Sequence, residues 1–453
     1  MKKAIMKAMT VISFLLFTAP ALYAGEMDVL VNKLVEKGIL TTYEGQVLMT
    51  QAKEEVAIEK AHKNPVNVSL KEGLQFKTQD GAFEMKIGGR VHADMLYLQG
   101  QKTLGDRIGR DLDHYNNTGF RRARLSLEGK VYDDFFFKTQ YDFAGAAVGF
   151  RDLYMGMQNI PYAGRITVGQ FKEPMGLDTL TSSNNITFME RALPMVFAPD
   201  RQWGAMVDNN WFDQNLTFAT GVFKNSNNES GNLTSITGNE WNWTSRITGT
   251  PLFKNVPGEI YKVAHLGASY SLRSPDNNVL RFRERPEMRT EDRFVDTGNF
   301  GAHMENRIGT EAALVYGPFS VQGEFLSSIV DLKNNRNATN SYFYGAYGYV
   351  SYFLTGENRN YSKSSGAFSG VTPKNNFSFK DGTWGAWEIA ARYSYLDLND
   401  KDARINGGIL NDMTLGINWY LNRNFRMMLN YVHTNRNGVG YADGVQGRLQ
   451  VNF

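Results

Sequence analysis

The feature that most constrains this chain is a side-chain period of two that begins near Gly73 and returns, segment after segment, to the last residue. It is cleanest at the end. Val445, Gly447, Leu449, Val451 and Phe453 alternate with Gln446, Arg448, Gln450 and Asn452. Successive residues of a strand point to opposite faces, so each such segment presents one apolar and one polar face. An early segment repeats it, with Ile87, Gly89, Val91, Ala93, Met95 and Tyr97 set against Lys86, Gly88, Arg90, His92, Asp94 and Leu96. So does 120–131, where Ala123, Leu125, Leu127, Gly129 and Val131 oppose Arg122, Arg124, Ser126, Glu128 and Lys130. Further strands are expected near 135–143, 151–159, 165–172, 203–211, 216–224, 241–253 and 262–273. The rest are expected near 307–316, 319–330, 342–355, 385–398, 411–421, 425–434 and 445–453. About sixteen result, many close to the ~10 residues of a transmembrane strand.

Such alternation suits either a soluble sandwich with its apolar face inside or an outer-membrane barrel with its apolar face in lipid. Three features favour the barrel. Large aromatics recur at strand ends (Tyr97, Tyr132, Trp203, Trp211, Phe253, Trp384, Tyr420, Phe453), as interfacial girdles require. Charges recur on one face too often for a packed core. Connectors roughly alternate between short (133–134, 159–164, 212–215, 317–318, 422–424) and long (99–119, 173–202, 225–240, 274–306). Two spoil the pattern: 144–150 is short where an external loop belongs, and 356–383 is long where a turn belongs. The expected fold is all-β, a 16-stranded antiparallel transmembrane barrel preceded by a short helical, coiled-coil-capable segment. Sixteen strands leave an aqueous channel instead of a filled interior. The third external loop, 173–202, is placed to fold inward and narrow it.

Composition agrees. The 453 residues contain 44 Gly, 12 Pro and 13% aromatics, which suits many strands and tight turns. Mean hydropathy is −0.39, and no stretch after the N-terminus approaches the ~20 apolar residues of a spanning helix. The absence of cysteine excludes disulfides, thiol nucleophiles and iron–sulfur ligation, and no cofactor is implied. Residues 1–24 have the order of a secretory signal: Lys2, Lys3 and Lys7, an apolar run from Met9 to Phe17, then small residues to Ala24, with Ala21 the alternative cleavage point. Without those three lysines, 46 basic residues face 46 acidic ones, which gives no support for a nucleic-acid partner. Residues 25–65 read as a periplasmic helical segment and 66–453 as the barrel. Leu30 and Leu34 share a helical face, Gly38 is a stop, Thr41 and Glu44 have capping-box spacing, and Asn64-Pro65 ends a second helix.

Six segments resemble the phosphate-selective porins, the porin O/P family of Gram-negative outer membranes. They are LQFKTQDGAFEMKIGGRV at 74–91, FRRARLSLEGKVY at 120–132, GQFKEPMGLDTLTSSNNITFMERALPM at 169–195, FAPDRQWGA at 197–205, YFLTGENRNYSKSSGAFS at 352–369 and WGAWEIAARYSYLDLND at 384–400. The resemblance implies a homotrimer in outer-membrane lipid and lipopolysaccharide, and passive diffusion of small phosphate-like anions. It also implies that the third and fifth external loops and one periplasmic turn fold into the lumen, which would account for the overlong 356–383. Pore arginines and lysines would take over the anion's hydration.

The residues support this in part. Arg90, Arg122, Arg124 and Lys130 have lumen-facing parity, and guanidinium groups offer planar bidentate donors to oxyanions. Arg121 belongs to the same motif but has the wrong parity, which a local bulge would correct. Lys172, Arg191 and Arg201 complete the expected pore-lining set. Acids share these faces (Asp94, Glu128, Asp142), and the arginines at 281–293 are interleaved with Glu284, Glu287, Glu291 and Asp292 as in ordinary charge balance. Phe453 is the expected membrane-assembly signal. The six histidines are scattered, with no H-E-x-x-H, phosphate loop or G-x-S-x-G elbow, so neither a metal site nor an enzyme is expected. Three functions remain open: an anion-preferring porin, a general or differently selective porin on the same scaffold, and a non-conducting structural barrel.

Overall fold

The computed structural model describes residues 31–51, 66–70, 73–145, 147–225, 240–335 and 337–453. The export signal and the Asn64-Pro65 stop lie outside the described residues. The chain divides into an N-terminal unit and a barrel unit. In the N-terminal unit residues 31–36 and 42–51 are helical, and Gly38 ends the first helix at φ +68°. The capping box forms: Glu44 N donates to Thr41 Oγ1 at 3.2 Å, and Thr41 N donates to Glu44 Oε2 at 2.8 Å. The Thr41 hydroxyl and amide hold the Glu44 carboxyl below its ordinary range.

The barrel unit contains, among the described residues, sixteen long strands. They are β1 (Phe83–Gly100), β2 (Tyr115–Val131), β3 (Phe135–Asp142), β4 (Gly149–Ile160), β5 (Gly164–Lys172), β6 (Arg201–Trp211), β7 (Leu216–Lys224) and β8 (Asn242–Lys254). There follow β9 (Lys262–Arg273), β10 (Phe300–Tyr316), β11 (Phe319–Leu332), β12 (Asn340–Phe353), β13 (Ala386–Asp400), β14 (Ile405–Tyr420), β15 (Phe425–Arg436) and β16 (Gly440–Asn452). Each pairs antiparallel with the next. β16 pairs with β1 from Ala442↔Gly100 to Asn452↔Arg90, so the sheet closes and leaves no edge unpaired in hydrocarbon. The seam ends on Phe453, whose amide donates to Gly89 O at 3.1 Å while Gly89 N donates to Phe453 O at 2.8 Å.

The faces are inverted relative to a soluble protein. On β15 Met427, Leu429 and Tyr431 are 43, 49 and 41% exposed, while Arg426 and Asn430 between them are 2 and 1% exposed. Apolar side chains outside and polar ones inside are stable only with acyl chains as the outer solvent. Tyr97, Tyr132, Trp203, Trp211, Trp384 and Phe453 face outward as expected. Phe253 and Tyr420 do not. Tyr420 is buried and donates to Glu388 Oε2 at 2.9 Å. The β8–β9 register slips between Gly249 and Leu252, which turns Leu252 outward and Phe253 inward.

Connectors at one end are short (132–134, 161–163, 212–215, 255–261, 317–318, 421–424) except 354–385. At the other end 101–114, 173–200, 225–241 and 274–299 are long, and the remaining four are short. The segments 173–200, 274–299 and 354–385 pack against inward-facing strand residues. A short 3₁₀ helix, Leu193–Phe197, joins Phe282, Met288 and Phe294 of 274–299 in a core with Leu326, Val330, Phe343, Tyr347 and Leu396. A second cluster unites Leu177, Val263, Val315, Tyr361 and Phe368. The lumen beside β10–β13 is thus partly filled with packed side chains. The expectation of an unfilled aqueous interior fails there because β11–β15 carry Leu326, Val330, Phe343, Leu396, Leu410 and Val432 on their inner face.

Candidate functional site: the cationic lumen

The open part of the lumen is built from the inner faces of β1 to β8. Their register sets cations side by side. Arg90 lies opposite Arg124, His92 opposite Arg122, and Arg124 opposite Asp142. Between His92 and Ala93 the pairing jumps from Arg122 to Phe120, which leaves Arg121 as the extra residue of a bulge. The bulge turns Arg121 inward, where it grips Glu190 in a two-point contact at 2.9 and 3.0 Å. A second bulge, where Thr139 and Tyr141 face Leu153 and Phe150, brings Arg151 and Asp152 to the same wall. Asp152 Oδ1 accepts from Arg201 at 2.6 Å, and Arg151 stands 3.4 Å from Asp142.

These cations fall into two groups. Arg121, Arg124 and Arg201 are neutralised by Glu190, Asp142 and Asp152. Arg90, Arg122 and Lys172 have neutral partners. Arg90 donates to Ser183 Oγ at 2.8 Å and Ser182 Oγ at 3.2 Å, and Arg122 approaches His92 Nδ1 at 3.4 Å. Lys172 donates to the carbonyls of Thr179, Leu180 and Thr181. Arg191 donates to Thr181 O at 2.9 Å and stands 3.8 Å from Asp178. Segment 173–200 is therefore fastened to the wall by the groups that line the passage. Arg448 completes the fastening: it donates to both Asp94 oxygens at 2.7 Å, to Met189 O at 2.7 Å and to Glu190 at 3.0 Å.

A cavity of about 710 Å³ results. Among the described residues twelve basic side chains line it against five acidic ones; Asp142 and Glu311 pair with two of the twelve from outside the lining, and the balance remains positive. Seven of the eight expected pore residues line it: Arg90, Arg121, Arg122, Arg124, Lys172, Arg191 and Arg201. Lys130 does not. It sits exposed one residue from the end of β2, opposite Glu84 and Phe136. Lys138, Arg165, Arg246, Arg285 and Arg293 also line the cavity and were not singled out from the sequence. Inward parity was legible for Lys138, which alternates with Phe137 and Thr139. Arg285 and Arg293 were hidden within a charge-balanced stretch. Part of that stretch does balance: Arg281 pairs with Asp296, and Arg110 pairs with Glu291 and Asp292. Burial holds the Glu284 carboxyl above its ordinary range despite Arg293 and Arg285 nearby. A second chamber of about 520 Å³, lined by Lys86, Glu128, Gln140, Asn184, Arg426 and Gln450 among others, shares Arg90 and Lys138 with the first.

The family model described as phosphate-selective porin O and P matches residues 85–453. Porin O of Pseudomonas aeruginosa is 27% identical over 431 residues, covering 85% of this chain and 92% of that protein. An uncharacterised protein of Caulobacter vibrioides is 28% identical over 394 residues, covering 85% of this chain and 75% of its own length. Among solved structures, OprB of Pseudomonas putida superposes with a TM-score of 0.50 at 11% identity, covering 82% of this chain and 94% of that one. With a closed sixteen-stranded barrel and a match across nearly all of it, the chain belongs to the phosphate-selective porin O and P family and is an outer-membrane channel of bacteria.

Proposed function

We propose that this porin conducts small anions in preference to cations, phosphate-like oxyanions among them, by passive diffusion. The observation that supports this most is the excess of cations over carboxylates around the 710 Å³ cavity, with Arg90, Arg122 and Lys172 held by hydroxyl, imidazole and carbonyl groups. A guanidinium whose partners are neutral keeps its charge available to an entering ion and can replace part of that ion's hydration shell. The paired arginines Arg121, Arg124 and Arg201, with Arg191, fix the wall and segment 173–200. Passage requires modest affinity at each site, so several weak stations serve better than one deep one.

On the same reading residues 1–24 export the chain, 25–65 lie in the periplasm, Phe453 is read by the assembly machinery, and the channel works as a homotrimer in lipid and lipopolysaccharide. The deciding experiment is a planar-bilayer reversal potential across a KCl gradient, with Arg122→Glu beside the wild type. An anion-signed potential that weakens in the variant is expected. A cation-signed wild type would replace this reading with that of a differently selective porin. Absence of any conductance after reconstitution would replace it with that of a structural barrel.

A further inference from the structure

Charge does not line the cavity alone. Leu180, half-buried on the in-folded segment 173–200, packs with Leu177, Ala367 and Phe368. Leu180, Ala367 and Phe368 all border the cavity, so they form a small apolar ledge inside a charged passage. Cations bracket the ledge through its own backbone. Lys172 Nζ lies 3.5 Å from the carbonyl oxygens of Leu180 and Thr181, and Arg191 donates to Thr181 O at 2.9 Å. On the other segment Arg246 donates to Gly366 O at 2.7 Å, one residue before Ala367.

An inorganic oxyanion gains nothing from such a ledge, because apolar surface removes its water without returning a hydrogen bond. A ligand with an oxyanion head and a short hydrocarbon tail gains on both counts, the head on cations and the tail out of water. We propose that this channel binds small organic anions, an oxyanion head carrying a short alkyl or aryl group. The head meets Lys172 and Arg191, while Arg246, paired with Glu311, holds the Gly366 carbonyl, and the tail lies on Leu180, Ala367 and Phe368. This deepens the anion-preferring reading above and rests on it.

The test is block of chloride current through the full-length protein in planar bilayers by methyl-, ethyl-, propyl- and butylphosphonate, matched in charge. Half-blocking concentration should fall about fourfold for each methylene that reaches the ledge. A series that follows charge alone, with no dependence on chain length, overturns the proposal. Leu180→Asn keeps the size but not the apolar character, and should flatten the series; an unchanged slope in that variant overturns the assignment to this ledge. The parent reading fails separately: a cation-signed reversal potential removes both, while an anion-signed potential with a flat series removes this proposal alone.

Discussion

At Arg122 the lumen has placed a buried guanidinium whose recorded partner is an imidazole nitrogen at 3.4 Å. Arg122→Glu changes the local charge by two, and a unit charge at about 8 Å with an effective dielectric of about 20 is worth roughly 2 kcal/mol. Anion preference in the KCl reversal potential should therefore fall steeply, whereas Lys130→Glu, remote from the cavity, should change it little. Glu284 gives the pH dependence. Its carboxyl is held high by burial, so it gains a proton at a higher pH than a free glutamate. As pH falls through the mildly acidic range, the cavity loses this negative charge first and anion preference should rise. Glu284→Gln at neutral pH should reproduce the acidic value and abolish the change. Arg448 carries stability. Its side chain is 0% exposed beside an Asp94 side chain that is 2% exposed, so Arg448→Ala leaves a buried carboxylate without its guanidinium. A loss of about 3–5 kcal/mol is expected, read as a lowered denaturant midpoint in detergent. Asp94→Asn combined with Arg448→Met should recover much of it.

Beside the closing seam between β16 and β1, Gly89 leaves no room for a side chain. A Cβ on Gly89 would stand 2.6 Å from the Arg124 carbonyl oxygen and 2.6 Å from the Phe453 ring. The ring can move but the β2 carbonyl cannot, so Gly89→Val should disturb the β1–β2 pairing beside the seam and lower the yield of closed barrel. The measurement is the fraction of outer-membrane protein that keeps the compact, heat-modifiable electrophoretic form. Deletion of Phe453 should lower the same fraction, and normal assembly of that deletion would remove its role as a signal. The sixteen strands themselves were legible because lipid on one side and water on the other impose the period of two on every strand. Their ends were less so. β10 begins at Phe300, seven residues before the alternation announces it, since Phe300, Gly301 and Ala302 lack a polar–apolar contrast. Bulges were legible where a motif demanded an inward residue, as at Arg121. They went unread at Gly249–Leu252 and Arg151–Asp152, although Pro251 inside a strand and the adjacent charges Arg151 and Asp152 both interrupt the alternation there.

Across the whole molecule, the hardest property to read was the side of the wall on which a connector lies. Residues 173–200, 274–299 and 354–385 are each a mixture of charge, glycine and apolar residues that suits an exposed loop as well as a plug. Only the register of sixteen strands brings Tyr361 to His265, at 2.6 Å between hydroxyl and Nδ1, or lets Arg359 donate to Gln322 Oε1 at 3.2 Å. These contacts make 354–385 a fixed part of the passage, contributing Ser364, Ser365, Ala367 and Phe368 to the larger chamber and Ser369 to Thr372 to the smaller. Replacing residues 357–374 by a short glycine–serine turn removes this partition while leaving every barrel strand its register. Single-channel conductance should then rise, because the chambers joined at Arg90 and Lys138 merge. Anion preference should fall only in part, since Arg90, Arg121, Arg122 and Arg124 remain on β1 and β2. If conductance stays at the wild-type value, the passage is limited at 173–200 alone and the 354–385 segment is scaffold.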